Sequence, residues 1–136
     1  MTTMHIISKC ILIIEDDPQY RRVVVRALEQ QGYQVVAAED FYSAISILEG
    51  DQHLDLLLTD VQMPAGTPNG VTIGRMATLR RSRLPIIYMT GSYHLTQLAG
   101  VVNPNEPILK KHFRIEDLLQ TIRDVLEHAA PTEPKR

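Results

Sequence analysis

Along this chain, short runs of unbroken apolar residues alternate with longer stretches whose apolar positions recur every three or four residues. Cys10–Ile14 (CILII) is such a run, and it ends in Glu15-Asp16-Asp17-Pro18. A strand buried on both faces has this pattern. Pro18 suits the first turn of a helix, and Val24, Ala27 and Leu28 then fall at helical spacing. Gly32 marks the end of that helix. Gln34–Ala38 predicts a second strand and Ser43–Leu48 a short amphipathic helix. Asp55–Thr59 (DLLLT) predicts a third strand, ending at Asp60. After the turn-rich loop Val61–Asn69 come a helix over about 70–81, a strand at Ile86–Thr90, a helix over His94–Val102 and a strand at Ile108–Lys111. Ile115, Leu118, Leu119, Ile122, Val125 and Leu126 form one stripe, so Ile115–Ala129 is the clearest helix.

Strand and helix thus alternate through the chain, which predicts a parallel sheet covered on both faces with right-handed crossovers. The length of 136 residues suits one domain. The expected organisation is an N-terminal extension over 1–8, a single domain over 9–129 and a C-terminal tail over 130–136. At 44% hydrophobic and 22% charged, with a formal net charge of −2, the composition offers no general attraction to nucleic acid or anionic membrane. No apolar run approaches the roughly 20 residues of a membrane span, and residues 1–8 lack the pattern of a signal peptide. A cytoplasmic location is therefore the expectation. The single cysteine, Cys10, reads as a small buried residue. The histidines show no metal-ligand spacing, and the cluster Arg75, Arg80, Arg81, Arg83 reads as a solvated helix end or, as the minor alternative, a docking patch for an acidic partner.

The residues placed directly after the strands carry the candidate chemistry. Glu15, Asp16 and Asp17 come after the first, Asp60 after the third, Thr90 ends the fourth, and Lys110 and Lys111 end the fifth. In a parallel sheet these all reach one edge, where ligands of open α/β sheets bind. Clustered carboxylates repel unless a cation offsets them. Mg²⁺ is the natural candidate, because it takes hard oxygen ligands and uses one or two carboxylates. Phosphoryl transfer needs mainly positioning and charge neutralisation, and an Asp carboxylate is a competent nucleophile for it.

The segments ILIIEDDP, LLLTDVQMP, IIYMTGS and LKKHF, in this order and spacing, resemble the receiver domain of two-component response regulators. The resemblance spans about residues 9–127. It implies a flavodoxin-like, doubly wound five-stranded parallel sheet of order 2-1-3-4-5. It implies Asp60 as phosphoacceptor and Mg²⁺ ligand, Asp16 as direct Mg²⁺ ligand, Glu15 as its partner through water, and the Gln62 backbone carbonyl as a further metal ligand. Thr90 becomes the switch hydroxyl and Lys111 the amine that pairs with the phosphoryl group; alignment through Phe113 selects Lys111 over Lys110. Gln62 and Ser92 line the entrance. Asp17, the surplus acid, caps the following helix. The implied donors are a sensor histidine kinase or a histidine phosphotransfer protein. Output passes to a downstream protein effector, without direct DNA binding, through the surface of the fourth helix, fifth strand and last helix.

Three features depart from the family pattern. Lys111-His112-Phe113 replaces Lys-Pro-aromatic, so the peptide bond after Lys111 is either trans with a shifted loop or a strained cis bond. Ile108 stands where many members carry a switch aromatic, and the loop after Met63-Pro64 is longer than usual. The alternative functions are a receiver-like scaffold that is not phosphorylated and a metal-dependent phosphohydrolase. The second lacks its leaving-group acid, since Gln62 occupies that position.

Overall fold

In the computed structural model, which describes residues 8–64, 66–91, 98 and 101–129, Lys9 and Asp55 fix where the first strands begin. Gln34 N donates to Lys9 O, and Asp55 N to Cys10 O. From there five parallel strands run side by side: β1 (Cys10–Ile14), β2 (Gln34–Ala38), β3 (Leu56–Asp60), β4 (Ile86–Thr90) and β5 (Ile108–Lys110). Their order is β2-β1-β3-β4-β5, so the chain reverses direction of travel across the sheet beside β1. The helices are α1 (Pro18–Gln30), α2 (Phe41–Glu49), α3 (Gly70–Arg80) and α4 (Ile115–His128).

The strands are apolar without alternation because both faces are covered. Leu12, Ile14, Leu57 and Tyr88 pack on one side with Ala44 and Leu48 of α2 and Ile73 and Ala77 of α3. Ile11, Ile13, Leu58 and Met89 pack on the other with Val24 and Leu28 of α1 and Leu118 and Ile122 of α4. Edge strands β2 and β5 are only partly buried, as their position requires. Cys10 is buried, as expected.

Local chemistry sets the helix limits. Asp17 caps α1, its Oδ1 accepting from Gln19 N at 3.0 Å and Tyr20 N at 3.3 Å. Gly32, at φ 92°, ends the helix, with Tyr33 N donating to Leu28 O and Gly32 N to Glu29 O. Asp40 and Ser43 form a reciprocal capping box on α2.

The expected boundaries move slightly. The third strand is Leu56–Asp60, so Asp60 is its last residue and Asp55 precedes it. The fifth strand stops at Lys110, which places Lys111 in the following turn. Most of the helix expected over His94–Val102 lies outside the described residues, as do Ser92 and the tail 130–136. Leu98 is helical, and Val101 and Val102 lie in the turn after it, both amides donating to Leu98 O.

The reading of the arginine cluster as a solvated helix end is corrected. Arg81 donates to the carbonyls of Leu48 at 3.1 Å, Gln52 at 2.6 Å and Gly50 at 3.0 Å, closing the C-terminus of α2. Arg80 pairs with Glu49 at 2.9 Å, and Arg75 donates to Val101 O at 2.9 Å.

One glycine ties the fold to the strand ends. Gly70, the first residue of α3, donates to Val61 O at 2.8 Å. A Cβ there would collide with the backbone carbonyl oxygen of Asp60 and lie 2.9 Å from Val61 Cα. Backbone lies on that side, so nothing can rotate away. Gly70→Ala is therefore expected to lower the unfolding free energy by about 1–3 kcal/mol, read by denaturant titration. An unchanged midpoint would show that α3 docks without this close approach.

Candidate functional site

The strand register assembles the site. Ile14 pairs with Thr59 as the last β1–β3 partners, so the next residues, Glu15 and Asp60, emerge side by side. Thr90 pairs with Lys110, and Lys111 N donates to Thr90 O. Glu15, Asp16, Asp60, Thr90 and Lys111 therefore meet at the carboxyl edge, beside the point where strand order reverses. Glu15, Asp60 and Thr90 are buried, whereas Asp16 is exposed and Lys111 part-exposed. Lys110 is also exposed and makes none of these contacts.

Glu15, Asp16 and Asp60 each offer an oxygen, all within 4.8 Å of one another. Lys111 Nζ sits between two of them, 2.9 Å from Glu15 Oε1 and 3.0 Å from Asp60 Oδ2. The contact with Asp60 has hydrogen-bond geometry. The contact with Glu15 is an ion pair off the hydrogen-bond line, which leaves buried Oε1 without a directed donor. Glu15 Oε2 accepts from Asp17 N at 3.1 Å, and Asp60 Oδ1 from Gln62 N at 3.2 Å. The Gln62 side chain reaches toward Gly91. Thr90 Oγ1 is buried and makes no hydrogen bond.

The charges are held under strain. Burial, then the charge of Asp60, pushes the Glu15 carboxyl up to about 7, against the opposing pull of Lys111. Burial also raises Asp60, with Lys111 opposing it. Burial alone would lower the Lys111 ammonium, but the two carboxylates outweigh it and hold it above its usual value. Three converging carboxylates, one with a buried oxygen held only by an ion pair, fit a small hard cation with oxygen ligands. Glu15, Asp16 and Asp60 are the residues that would hold it.

Two supports were not evident from sequence. Arg21 donates to Glu15 O at 2.7 Å, fixing the turn after β1. The Lys111 ammonium lies 5.0 Å from the Tyr20 ring centroid, and Tyr20 meets Phe113 edge-on at 6.2 Å. Tyr20 belongs to the helix that starts beside the acidic run, and the placement of Lys111 near that run was its only sequence signal. Of the two alternatives for the bond after Lys111, the structure takes the trans one: no described peptide bond is cis, and His112 turns the chain at φ 68°.

The fold and site define a doubly wound α/β domain with an acidic, lysine-bridged pocket at its carboxyl edge. The family model for the response regulator receiver domain matches residues 11–123, and the chain belongs to this family of two-component signalling domains. It is 35% identical to the response regulator receiver protein CpdR of Brucella abortus, over 87% of this chain and 97% of that protein. It is 30% identical to the response regulator MprA of Mycobacterium avium over 90% of this chain, and spans 53% of MprA's length. A receiver protein from Sinorhizobium medicae has the same fold, with a TM-score of 0.82 and 24% identity over 89% of this chain and 96% of that one. So does TrrA of Thermotoga maritima, solved in complex with Mg²⁺-BeF, with a TM-score of 0.73 and 22% identity over 86% of this chain and 98% of that one.

The buried charge and the left-handed turn can each be tested. Glu15 has a folded-state pKa above its unfolded value, so its protonation stabilises the fold at low pH, and this contribution is lost as pH rises toward about 7. Without divalent cations, Glu15→Gln should therefore gain stability relative to wild type between pH 5 and 8, by about 1–3 kcal/mol. Urea titrations in chelator at several pH values measure this; a pH-independent difference contradicts it. His112→Val should cost about 1–2 kcal/mol, because a β-branched residue resists positive φ, while His112→Gly should not. Thermal midpoints of the two variants decide.

Proposed function

We propose that Asp60 is the phosphoacceptor of a Mg²⁺-dependent receiver switch. The carrying observation is the convergence of Glu15, Asp16 and Asp60 oxygens within 4.8 Å, with Lys111 Nζ 3.0 Å from Asp60 Oδ2. That arrangement is hard to account for as a structural device, because buried like charges destabilise a fold.

In this reading an Asp60 oxygen attacks the phosphorus of a phosphohistidine on a sensor histidine kinase or a histidine phosphotransfer protein. The new O–P bond gives an acyl phosphate as the N–P bond breaks, and the histidine nitrogen keeps the electron pair and takes a proton from solvent. When bound, Mg²⁺ supplies positive charge against the phosphoryl oxygens. Asp16 and Asp60 would hold the cation directly and Glu15 through water, and the Gln62 backbone carbonyl would complete the protein's ligands. Lys111 releases its pairing with Asp60 and moves with the new negative charge. Thr90 turns its unpartnered hydroxyl to a phosphoryl oxygen. The modification brings about −1.5 to −2 charge at pH 7, and reorganisation at Thr90 and Lys111 biases the surface read by a downstream protein effector. Ile108 offers no aromatic ring for that readout. The chain acts as a switch in the cytoplasm, its domain spanning residues 9–129, and catalyses only its own phosphorylation and dephosphorylation.

The test is incubation with acetyl phosphate and Mg²⁺, followed by intact-mass measurement and phosphotransfer from candidate kinases. The wild-type chain is expected to gain one phosphoryl group. Chelator or Asp60→Asn abolishes the gain, and hydroxylamine reverses it, as for an acyl phosphate. No gain from either the small donor or any cognate kinase would favour the scaffold reading.

A further inference from the structure

The Lys111 ammonium meets two kinds of partner, and a metal ion would affect them differently. Nζ lies 2.9 Å from Glu15 Oε1 and 3.0 Å from Asp60 Oδ2. It also lies over the Tyr20 ring, 5.0 Å from the centroid. The two carboxylates, with Asp16, offer oxygens within 4.8 Å of one another. A divalent ion held there would engage the groups that now face Lys111 and would repel the ammonium. The ring face is a partner of another kind: it attracts the ammonium through its quadrupole and is not among the oxygens the ion would take.

The ring is fixed and the lysine is not. Tyr20 stands in the first turn of α1, its amide donating to the capping carboxylate of Asp17 at 3.3 Å. Phe113 meets its ring edge-on at 6.2 Å, and both rings pack against the apolar layer that contains Ile13 and Met89. Lys111 follows a three-residue edge strand, and its side chain is 22% exposed. Its backbone is tied to Thr90 O, but a flexible four-carbon stem separates the ammonium from that tie.

We infer that Tyr20 is a positioning residue for Lys111: its ring keeps the ammonium at the pocket once a divalent ion occupies the carboxylates, placed to meet a phosphoryl group on Asp60. The inference rests on the reading of Asp60 as phosphoacceptor in a Mg²⁺-loaded pocket. Without the ring, an ammonium repelled by the ion would swing into water, and each phosphoryl transfer would first have to order that side chain again. The attraction belongs to the electron-rich ring face and not to the hydroxyl. A phenylalanine therefore serves as well, whereas a ring of the same shape stripped of that electron density does not.

The first measurement is made by NMR on the unsubstituted full chain. The Hε protons of Lys111, assigned by their loss in Lys111→Arg, should lie upfield of other lysines through the Tyr20 ring current, and should stay upfield when Mg²⁺ saturates the chain. The second is the rate of phosphorylation by acetyl phosphate at saturating Mg²⁺. Tyr20→Phe is expected within about twofold of wild type, and 3,4,5-trifluorophenylalanine at the same position about fivefold slower. Lys111 signals that move to the common lysine position on Mg²⁺ addition overturn the inference. Equal rates for the plain and fluorinated rings also overturn it, because a role in packing alone does not distinguish them. Pocket resonances indifferent to Mg²⁺ overturn the functional reading and this inference with it. A chain that binds Mg²⁺ but is never phosphorylated defeats the reading of Asp60 alone, and the Lys111 signals then decide whether the ring holds the ammonium.

Discussion

The candidate site is organised by the interaction between Lys111 and the two buried carboxylates of Glu15 and Asp60. Taking two like charges out of water at the end of a sheet is costly, and a single ammonium 2.9 and 3.0 Å away offsets only part of that cost. Burial raises both carboxyls against the opposing pull of Lys111. A domain tolerates such a site because its stability comes from elsewhere, from two apolar layers that sandwich every central strand. In the proposed function, the same imbalance would favour a cation in the pocket. A fully satisfied pocket would have no reason to bind a cation or to respond to a new group on Asp60.

Holding Lys111 in place takes more than the strand that precedes it. β5 is short and lies at the edge of the sheet, and the lysine falls just beyond its end. Its amide is fixed by Thr90 O, its ammonium by the carboxylates and the face of Tyr20. His112 then reverses the chain through positive φ so that Phe113 returns against Tyr20. The aromatic pair and the left-handed residue together orient the cation. They do so without the proline common at this turn in the family.

Much of this was legible in the sequence. Unbroken apolar runs marked the strands, because strands covered on both faces need no polar residues, and the functional groups stood directly after them. The order of those runs, once set in parallel, brings Glu15, Asp16, Asp60, Thr90 and Lys111 to one edge. What escaped was information carried by contacts between remote elements. Arg81 looked like any arginine at a helix end, because the carbonyls it closes belong to residues about thirty positions earlier in the chain. Tyr20 looked like a helix residue, because only the turn after β5 reveals it as the platform for a lysine. Strand limits moved by one residue at Asp55 and Lys111, where side chains and not the apolar pattern decide the end of pairing.

The placement of Asp60 at the end of β3 and not in the loop after it has a mechanical consequence. A strand residue in register with Met89 has its backbone fixed by the sheet, so a group attached to its side chain cannot be accommodated by moving Asp60 itself. Gly70 blocks the other route, since its α-carbon already sits against the Asp60 carbonyl. Adjustment must therefore fall on the side chains around it. Thr90 has an unpartnered hydroxyl to offer, and Lys111 has a bond to exchange. Both residues lead directly into the segments that flank β5. In the proposed switch, a rigid acceptor beside an unbonded hydroxyl and an exchangeable ammonium would turn a local change of charge into a change of surface.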